Sequence, residues 1–568
     1  MSARHAAAIL LIGCLAAPAA AAAPATPSPS PAPDPPRLVV LLVVDQMRAD
    51  QLLAPPRAFT AGYRRLLEGG AVFLDCRYRQ GPNETAPGHA VLATGAWAHR
   101  NGIEANTWWS YPAHRAVYAV EDRNGRVVGA ADTAGRGCGP DTAQPAGPGN
   151  LVAETLSDRL WAASRGRART VAIAGKDRPA VLMAGVHGKA YWADECTGGL
   201  VTSTYYHATE ADLPDWLRRF NRDQAPARWW GQAWPAGDSA GFRHALGGRS
   251  PRDARFATDF FSSPLSVDWT LAAAESAVAG LGLGRAETPD LLCVGLSAHD
   301  AVGHEFGPES PEAAYEARCE DLALGGFLDF LDARVGRGRW LLALSADHGV
   351  GRLPEDTAGW RADPEMREPL RPHARPGDTP MFQDPARAAR FAPPGRLLAG
   401  VFLKAADSLA AALGASAGHW RWWDPYLYFA TDSAAPPVRL AEALLVRLRA
   451  ELTNRFPMAR MFVRSELRDT AATRDPLLRA ARLAFYEVRA GDFYVVPDPG
   501  FLFIAARTGT RHGAPYAYDN HVPLVFYGPG VRAARHAELV SPADVAPTLG
   551  ARLGVGAPAQ AEGRDLRP

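Results

Sequence analysis

The chain has 568 residues, with 61 basic and 60 acidic side chains and a formal net charge of +1. This balance excludes the strongly basic surface with which proteins bind nucleic acid or an anionic membrane, so any affinity for anions has to be local. The length exceeds the roughly 250 to 300 residues at which single hydrophobic cores stop growing, and it predicts one large elaborated domain or two domains.

The first 24 residues have the composition of a secretory signal peptide, with a basic start, a short apolar run and an alanine-rich tail. We expect the mature protein to be periplasmic or extracellular. Because residues 11–14 resemble a bacterial lipobox, the alternative is a lipid anchor at Cys14. Residues 25–36 are a Pro/Ser-rich tether that cannot build a core. No later stretch reaches the ~20 apolar residues that are needed to span a bilayer.

Five cysteines remain if cleavage falls after Cys14, namely Cys76, Cys138, Cys196, Cys293 and Cys319. An odd number in an oxidising compartment predicts at least one unpaired thiol, and the sequence does not fix how the others pair. Cys293 lies in the apolar run LLCVGL, which predicts a buried thiol. The cysteines lack the spacing of a structural zinc site, so they are not expected to bind metal.

Apolar strands alternate with helix-patterned segments along the chain. Residues 37–45, RLVVLLVVD, are typical of a strand that is buried on both faces of a parallel sheet. Similar apolar runs recur at 170–174, 290–296, 339–344 and 522–527. Helix-patterned segments include 151–164, 313–335 and 438–456. This alternation predicts an α/β fold in which a doubly wound, mostly parallel sheet is sandwiched by helices.

Two long intervals, at about 180–270 and 353–500, interrupt the alternation. We interpret them as lobes inserted into one catalytic domain, residues 37–552, which is followed by a C-terminal tail, residues 553–568. The second interval contains a strand-like run at 399–404. Aromatic residues are frequent in both intervals, including Trp192, Tyr205, Tyr206, Trp229, Trp230, Trp234 and the cluster at 421–429. We expect these side chains to pack the lobes; the alternative is contact with an organic leaving group.

The segment NETAPGHA, residues 83–90, places Thr85 at the start of a predicted helix that ends at Gly95. The N-terminus of a helix presents free N–H groups and the positive end of the helix dipole, and both favour a phosphate. Because an isolated alcohol is a poor nucleophile, a neighbouring base or metal ion has to activate it. We interpret Thr85 as a metal-activated nucleophile; the simpler alternative is a helix N-cap.

Acidic and histidine residues follow three of the predicted strands. They are Asp45 at the end of the first, Asp300 and His304 after the third, and Asp347 and His348 after the fourth. The carboxyl ends of parallel strands meet at one crevice, where converging acids are most simply explained by cations between them. Mixed carboxylate and imidazole ligands suit zinc, and two ions roughly 4 Å apart suit phosphoryl transfer. We expect the last ligand to lie within residues 509–530. Spacing in the sequence does not distinguish His512 from His521 as this ligand.

Seven motifs then occur in the order seen in the alkaline phosphatase superfamily: VVDQMR, NETAPGHA, NGIEAN, GKDRPAV, SAHDAVGHEFGP, SADHGV and RHGAPYAYDNHVPLVFYGPG. The chain resembles the secreted phosphate-irrepressible and Sphingomonad-type alkaline phosphatases that have a threonine nucleophile. The resemblance implies two zinc ions. The residues implied are Asp45, Thr85, Asp347 and His348 for one ion, and Asp300, His304 and a late histidine for the other. It favours His512, eight residues before Asn520, and leaves His521 as the reserve.

The resemblance also implies that Asn106, Lys176 and Arg178 bind the non-bridging oxygens of a phosphomonoester. Its double negative charge suits two cations and an amide donor. One departure is Pro179, which stands where the family has a small residue. The expected reaction is the hydrolysis of small phosphomonoesters through a phosphothreonine, by a monomer. The alternatives are a phosphodiesterase or nucleotide pyrophosphatase of the same superfamily, and a periplasmic phosphate- or zinc-binding protein without catalysis.

Overall fold

The computed structural model describes residues 35–568 except 54–58, 82, 130–143, 195–197, 236–240, 252, 372, 379–393, 416–417, 431–439 and 505–506. The predictions about the signal peptide, residues 25–34 of the tether, Cys14, Cys138 and Cys196 lie outside the described residues. The strands are β1 (Leu38–Val44), β2 (Ala71–Arg77), β3 (Thr107–Ser110), β4 (Arg115–Tyr118), β5 (Val127–Val128), β6 (Thr170–Ala174), β7 (Lys189–Asp194), β8 (Gly199–Ser203), β9 (Ala233–Trp234), β10 (His244–Ala245), β11 (Asp290–Leu296), β12 (Trp340–Ser345), β13 (Gly395–Leu398), β14 (His419–Trp423), β15 (Tyr426–Ala430), β16 (Met458–Val463), β17 (Phe493–Pro497), β18 (Phe501–Ile504), β19 (His521–Tyr527) and β20 (Ala534–Val540).

Helices separate most of the strands and cover the sheet. They are α1 (Ala49–Leu53), α2 (Gly62–Gly69), α3 (Thr85–Thr94), α4 (Ala98–Asn101), α5 (Leu156–Ala163), α6 (Asp177–Ala184), α7 (Asp215–Asp223), α8 (Ala254–Phe261), α9 (Leu265–Leu281), α10 (Ala298–Phe306), α11 (Pro311–Leu331), α12 (Thr357–Ala362), α13 (Pro364–Arg367), α14 (Ala399–Ala412), α15 (Glu442–Arg455), α16 (Arg464–Arg468), α17 (Pro476–Ala484), α18 (Ala517–Asn520) and α19 (Val545–Arg552). The helices predicted at 151–164, 313–335 and 438–456 are confirmed as α5, α11 and α15, with ends that differ by a few residues.

The central sheet has ten strands in the order β20, β2, β19, β12, β1, β11, β6, β7, β8, β5. Strand β1 pairs in parallel with β11 and β12, and β6 and β7 extend this parallel block. Every residue of β1, β11 and β12 is buried, as expected for strands with helices on both faces. The predicted mostly parallel α/β sheet is therefore confirmed. The apolar run at 522–527 forms β19, but β19 runs antiparallel to both of its neighbours.

Both long intervals contain regular structure. Strands β7 and β8 of the first interval belong to the central sheet. In the second interval, β14, β15, β17 and β16 form a separate sheet whose apolar residues join those of α14 and α15 in a second hydrophobic cluster. The strand predicted at 399–404 is wrong, because these residues begin α14. Phe402, Ala406 and Ala410 recur every four residues and are buried. This spacing, which is typical of a helix, extends beyond the six residues of the predicted strand and accounts for the helix.

The last residues of the chain lie against the connection between α3 and α4. The Glu562 carboxylate accepts a hydrogen bond from the Trp97 N–H at 3.1 Å, and the Gly563 N–H donates to the Gly95 carbonyl.

Of the described cysteines, Cys76 and Cys293 are buried free thiols, which confirms the prediction for Cys293, and Cys319 is also free. Within the described ranges, no helix has both the length and the apolar character to cross a membrane.

Candidate metal centre and active site

Four neighbouring parallel strands, β12, β1, β11 and β6, end at the same edge of the central sheet. The sequence places acids, histidines or cations directly after each of them. As a result, ligand atoms of Asp45, Asp347 and His348 lie within 4.8 Å of one another, and so do ligand atoms of Asp300, His348 and His512. The structure therefore brings the predicted groups from distant parts of the chain into one cluster.

The first group consists of Asp45, Asp347 and His348, all of which are buried. The His348 Nε2 atom lies 3.5 Å from Asp45 Oδ1 and 3.3 Å from Asp347 Oδ2. Among the described residues, Asp45 Oδ1 and His348 Nε2 have no hydrogen-bond partner. Asp347 Oδ2 lies 3.2 Å from His89 Nδ1. Burial raises the pKa of Asp45, and the nearby charges of Asp300 and Asp347 raise it further. Unpartnered polar atoms that converge in a buried site are costly, and a bound cation would satisfy them.

The second group is built around Asp300. Its Oδ1 atom lies 3.2 Å from His304 Nε2 and 3.8 Å from His512 Nε2. The rings of His348 and His512 stack with their centroids 3.6 Å apart, so the two groups adjoin. Asp300 and His304 come from the first and second turns of α10, and their four-residue spacing places both side chains on one face of the helix.

Backbone carbonyls orient all three imidazoles of the cluster. In each ring Nδ1 is hydrogen-bonded to a carbonyl oxygen, and the partners are Thr510 for His304, Gly349 for His348 and Asn83 for His512. A carbonyl can only accept, so Nδ1 carries the proton and a neutral ring keeps a lone pair on Nε2. All three Nε2 atoms face the carboxylates. This arrangement, in which the other ring nitrogen fixes the tautomer, is typical of metal-binding histidines.

The alternative last ligand, His521, lies elsewhere. Its Nδ1 atom is 2.9 Å from a Glu365 carboxylate oxygen, and its Nε2 atom is 3.0 Å from the Leu74 carbonyl oxygen. Both ring nitrogens are therefore occupied by partners outside the cluster. Of the two histidines, only His512 faces Asp300, so the geometry supports the choice that the resemblance favoured.

Thr85 is the first residue of α3, and the N-cap is Glu84, whose side chain makes no capping hydrogen bond. The interpretation of Thr85 as a simple N-cap is therefore wrong. Gly95 ends the helix with φ 68°, as predicted for a left-handed C-cap. Thr85 lines a cavity of about 560 Å³ together with Asp300, His304 and His512. Thr85 thus lies at the positive end of a helix dipole and lines the same cavity as three of the proposed metal ligands.

Gly88 allows α3 to approach the metal ligands closely. A Cβ atom at this position would lie 2.1 Å from the backbone oxygen of Asp347. Because a backbone atom cannot rotate away, a side chain would have to push the helix and the end of β12 apart.

Replacing Gly88 with alanine should lower the free energy of unfolding by about 2 kcal/mol, which is a typical cost of overpacking a core. Urea unfolding would measure the change. Gly400→Ala is the matched control, because Gly400 also lies in a helix, α14, and has no atom within 4 Å of an added Cβ. The control should be neutral or stabilising. Equal stability of the two variants would show that this close approach is unimportant.

Asn106 is held by two hydrogen bonds with the start of α3. Its side-chain oxygen accepts from the Ala86 N–H at 2.8 Å, and its own backbone N–H donates to the Glu84 carboxylate at 2.8 Å. The side-chain oxygen of Asn106 is thus occupied by the helix. Asn106 lines the cavity, and its NH₂ group is the part of the side chain that remains available to donate to a ligand there.

Lys176 and Arg178 follow β6 and line the same cavity. The Lys176 ammonium donates to Asp45 at 2.7 Å and to Asp300 at 2.5 Å, so it bridges the two groups of ligands. Arg178 lies over the Tyr118 ring, whose hydroxyl donates to Asp177 at 2.6 Å. Burial lowers the pKa of Arg178, but Tyr118 and the neighbouring acids carry it above its usual value, so the side chain stays charged.

Pro179, the departure from the family pattern, occupies the third position of α6. A proline in the first turn of a helix removes no internal hydrogen bond, so the helix tolerates it. Its ring packs against strand β11, where a Cβ added at Gly295 would lie 3.1 Å from the Pro179 ring. The proline therefore fills space behind the two cations, and it does not interrupt the helix that carries them.

Gln46 is a site residue that the sequence analysis missed. It is fully buried and has φ 71°, which is unusual for a residue with a side chain. Its backbone N–H donates to Asp347 at 3.0 Å, and its side-chain amide donates to Asp300 at 2.6 Å. It therefore holds one carboxylate of each group. The only signal in the sequence is a polar residue immediately after Asp45, within the motif VVDQMR.

The remaining described residues that line the cavity are polar, charged or small, apart from Ile504. They are Glu84, Ala301, Glu305, Ile504, Thr508, Gly509, Thr510 and Arg511. None of the described lining residues is a tryptophan, tyrosine or phenylalanine. The aromatic residues of the inserted intervals are thus not part of this wall, and many of them are buried in the hydrophobic cores, as expected.

A buried cluster of carboxylates and imidazoles beside a helix-terminal hydroxyl and two cations defines a metal-dependent hydrolase that acts on phosphate esters. Sequence comparison agrees with this class. Residues 39–519 match the family described as type I phosphodiesterase / nucleotide pyrophosphatase, and the chain belongs to this family.

Several relatives cover nearly the whole chain. Alkaline phosphatase PhoK from Sphingomonas sp. is 30% identical and aligns over 94% of this chain and 91% of its own length. Alkaline phosphatase PhoV from Synechococcus elongatus is 27% identical, with 93% and 92% covered. The crystal structure of alkaline phosphatase PafA has a TM-score of 0.77 and 25% identity, and the match covers 95% of this chain and 99% of that chain.

Proposed function

We propose that this protein is an alkaline phosphatase that hydrolyses phosphomonoesters to inorganic phosphate and an alcohol. The observation that carries the proposal is one cavity lined by Thr85, by the ligand group Asp300, His304 and His512, and by the donors Lys176, Arg178 and Asn106. The group Asp45, Asp347 and His348 adjoins it. The relatives described as alkaline phosphatases, which align over nine-tenths of the chain, support the same activity. The enzyme is therefore a metal-dependent phosphoric monoester hydrolase.

Two zinc ions fit the ligand atoms of the site. Asp45, Asp347 and His348, with the Thr85 hydroxyl, would hold one ion. Asp300, His304 and His512 would hold the other. Mixed carboxylate and imidazole ligands suit zinc, and the unpartnered atoms of the first group need a cation. When bound, the ions would make a coordinated hydroxyl or water more acidic and would neutralise charge on the phosphoryl group.

The protein's own groups supply the nucleophile and the binding of phosphate. The Thr85 oxygen forms a bond to phosphorus as the ester P–O bond breaks, and the alcohol leaves. Water then cleaves the phosphothreonine, which releases phosphate and restores the hydroxyl. Lys176, Arg178 and the Asn106 amide donate to the non-bridging oxygens, where negative charge is spread in the transition state. The N-terminus of α3 adds its positive dipole to this environment.

The same family includes enzymes that cleave diesters, so a phosphodiesterase is the second candidate. The cavity favours the monoester. A monoester has two negative charges and three non-bridging oxygens in the transition state, whereas a diester has one charge. Two partly buried cations, Lys176 and Arg178, together with the Asn106 amide match the more highly charged group. A binding protein without turnover would have no use for a hydroxyl at the start of α3.

The N-terminal composition supports export, so we propose that residues 1–24 are removed and that the enzyme acts in the periplasm or outside the cell, with a lipid anchor at Cys14 as the alternative. The catalytic domain would span residues 37–552, and the enzyme would act as a monomer.

Removal of the metal tests the proposal. Dialysis against a chelator should abolish hydrolysis of 4-nitrophenyl phosphate, and zinc should restore it in proportion to the metal bound, up to about two ions per chain. Elemental analysis would count the ions, and a parallel assay of bis(4-nitrophenyl) phosphate should give the lower kcat/KM. Full activity in metal-free protein would refute the metal site, and a preference for the diester would favour the second candidate.

A further inference from the structure

Arg511 is a third cation in the cavity, beside Lys176 and Arg178. The residues on either side of it are fixed to the metal-ligand cluster. The Thr510 N–H donates to the His304 carbonyl at 2.9 Å, and the His512 ring is hydrogen-bonded to the Asn83 carbonyl at 3.1 Å. The backbone that carries Arg511 is therefore positioned by the same elements that build the site.

The guanidinium of Arg511 is only loosely paired. Its nearest carboxylate atoms are Glu84 Oε1 at 3.6 Å and Asp424 Oδ2 at 4.0 Å, both beyond a good hydrogen bond. About a third of the side chain is exposed. By contrast, Arg48 binds Asp50 and Glu309 at 2.8 Å each. Arg511 thus keeps donors for a ligand, while a structural arginine of the same chain does not.

Three acids are in or near this part of the cavity, and none of them satisfies Arg511. The other oxygen of Glu84 accepts the Asn106 N–H. Burial raises the pKa of Asp424, against the effect of Arg511. Its nearest oxygen is 4.0 Å from Arg511 Nε, which is too long for a hydrogen bond. Glu305 also lines the cavity, and within the described part of the chain it makes no ion pair with Arg511. The distances to Glu84 and Asp424 therefore leave the guanidinium donors available for a ligand.

We propose that Arg511 determines substrate preference by binding a second anionic group, a carboxylate or a phosphate, on the alcohol part of the phosphomonoester. This inference rests on the proposed phosphatase function. In the proposed reaction Lys176, Arg178 and Asn106, with the metal ions when bound, would bind the non-bridging oxygens of the transferred group. Arg511, whose donors are not all paired, is therefore available to another part of the substrate. An anionic group on the alcohol would accept hydrogen bonds from it.

The test compares substrates that differ in one charge. The first pair is 4-carboxyphenyl phosphate and its neutral carboxamide analogue; the second is 1,3-propanediol bisphosphate and 3-hydroxypropyl phosphate. For each pair, the ratio of kcat/KM values (anionic over neutral) is measured at pH 7. Arg511→Gln should lower the ratio about tenfold, as for loss of one charge-assisted hydrogen bond, and Arg511→Lys should lower it less. The pair with the larger effect identifies a carboxylate or a phosphate as the preferred group.

Arg507→Gln is the matched control, because Arg507 is exposed on the same segment and does not line the cavity. Its ratio should equal that of the wild type. If Arg511→Gln fails to fold, the wild type still tests the idea, because raising the salt from about 0.02 to 0.5 M should lower the ratio by screening. A ratio that neither the variant nor salt changes, while both substrates are hydrolysed, would overturn the role of Arg511 alone. Failure to hydrolyse either substrate would instead contradict the phosphatase function.

Discussion

Replacing Thr85 with alanine should lower kcat/KM for a phosphomonoester by about 10⁴-fold or more, because removal of a covalent nucleophile costs on this order even when the rest of a site is intact. In this protein the hydroxyl cannot be replaced easily. Thr85 is buried at the start of α3, and the carboxylate of the neighbouring Glu84 accepts the backbone N–H of Asn106. Steady-state kinetics with 4-nitrophenyl phosphate would measure the loss.

Thr85→Ser is the matched variant, because it keeps the hydroxyl and removes only a methyl group. It should form a phosphorylated intermediate that can be trapped by acid quench and located by mass spectrometry on residue 85. Thr85→Ala should give no such adduct while it retains the α3 helix, which circular dichroism would verify. An alanine variant with more than about a tenth of wild-type activity would show that another group attacks phosphorus.

The location of the candidate metal centre could be predicted from the sequence because its residues follow buried strands. Asp45, Asp300 and Asp347 each come shortly after an apolar run, and parallel strands deliver such residues to one edge. Their convergence in the structure depends on the strand order β12, β1, β11, β6, which no local pattern encodes. The sequence thus predicted which residues would meet, and the pairing of the strands determines how they meet.

Other features could not be obtained from local patterns. The antiparallel direction of β19 leaves no mark on its composition, because a strand buried on both faces is apolar in either direction. Gln46 was missed because its importance depends on a backbone with positive φ and on contacts with residues about 250 and 300 positions away. The distinction between His512 and His521 required the positions of Asp300 and Glu365, which only the folded chain provides.

Lys176 has a special position among the basic residues. The sequence contains only three lysines, Lys176, Lys189 and Lys404, among 61 basic residues. A compact ammonium can enter the space between Asp45 and Asp300, whereas the planar guanidinium that the chain uses almost everywhere else is wider. Its pKa is raised by the two carboxylates, which outweigh burial, so it stays charged. Lys176 thus reduces the repulsion between the carboxylates of Asp45 and Asp300. Its ammonium can also donate a hydrogen bond to phosphate.

The double substitution of Lys176 and Arg178 with alanine should reduce kcat/KM for a monoester by about 10²- to 10⁴-fold, since each charge-assisted hydrogen bond is worth ~1.5 to 3 kcal/mol. The loss for a diester should be at least about tenfold smaller, because its transferred group has less charge for the two cations to stabilise. Lys404→Ala removes an exposed charge on α14 and should change neither rate. Elemental analysis separates loss of phosphate binding from loss of metal, since Lys176 contacts Asp45 and Asp300. Equal losses for monoester and diester in fully metal-loaded protein would mean that the two cations do not select the monoester, and the preference would then have to arise from the metal ions themselves.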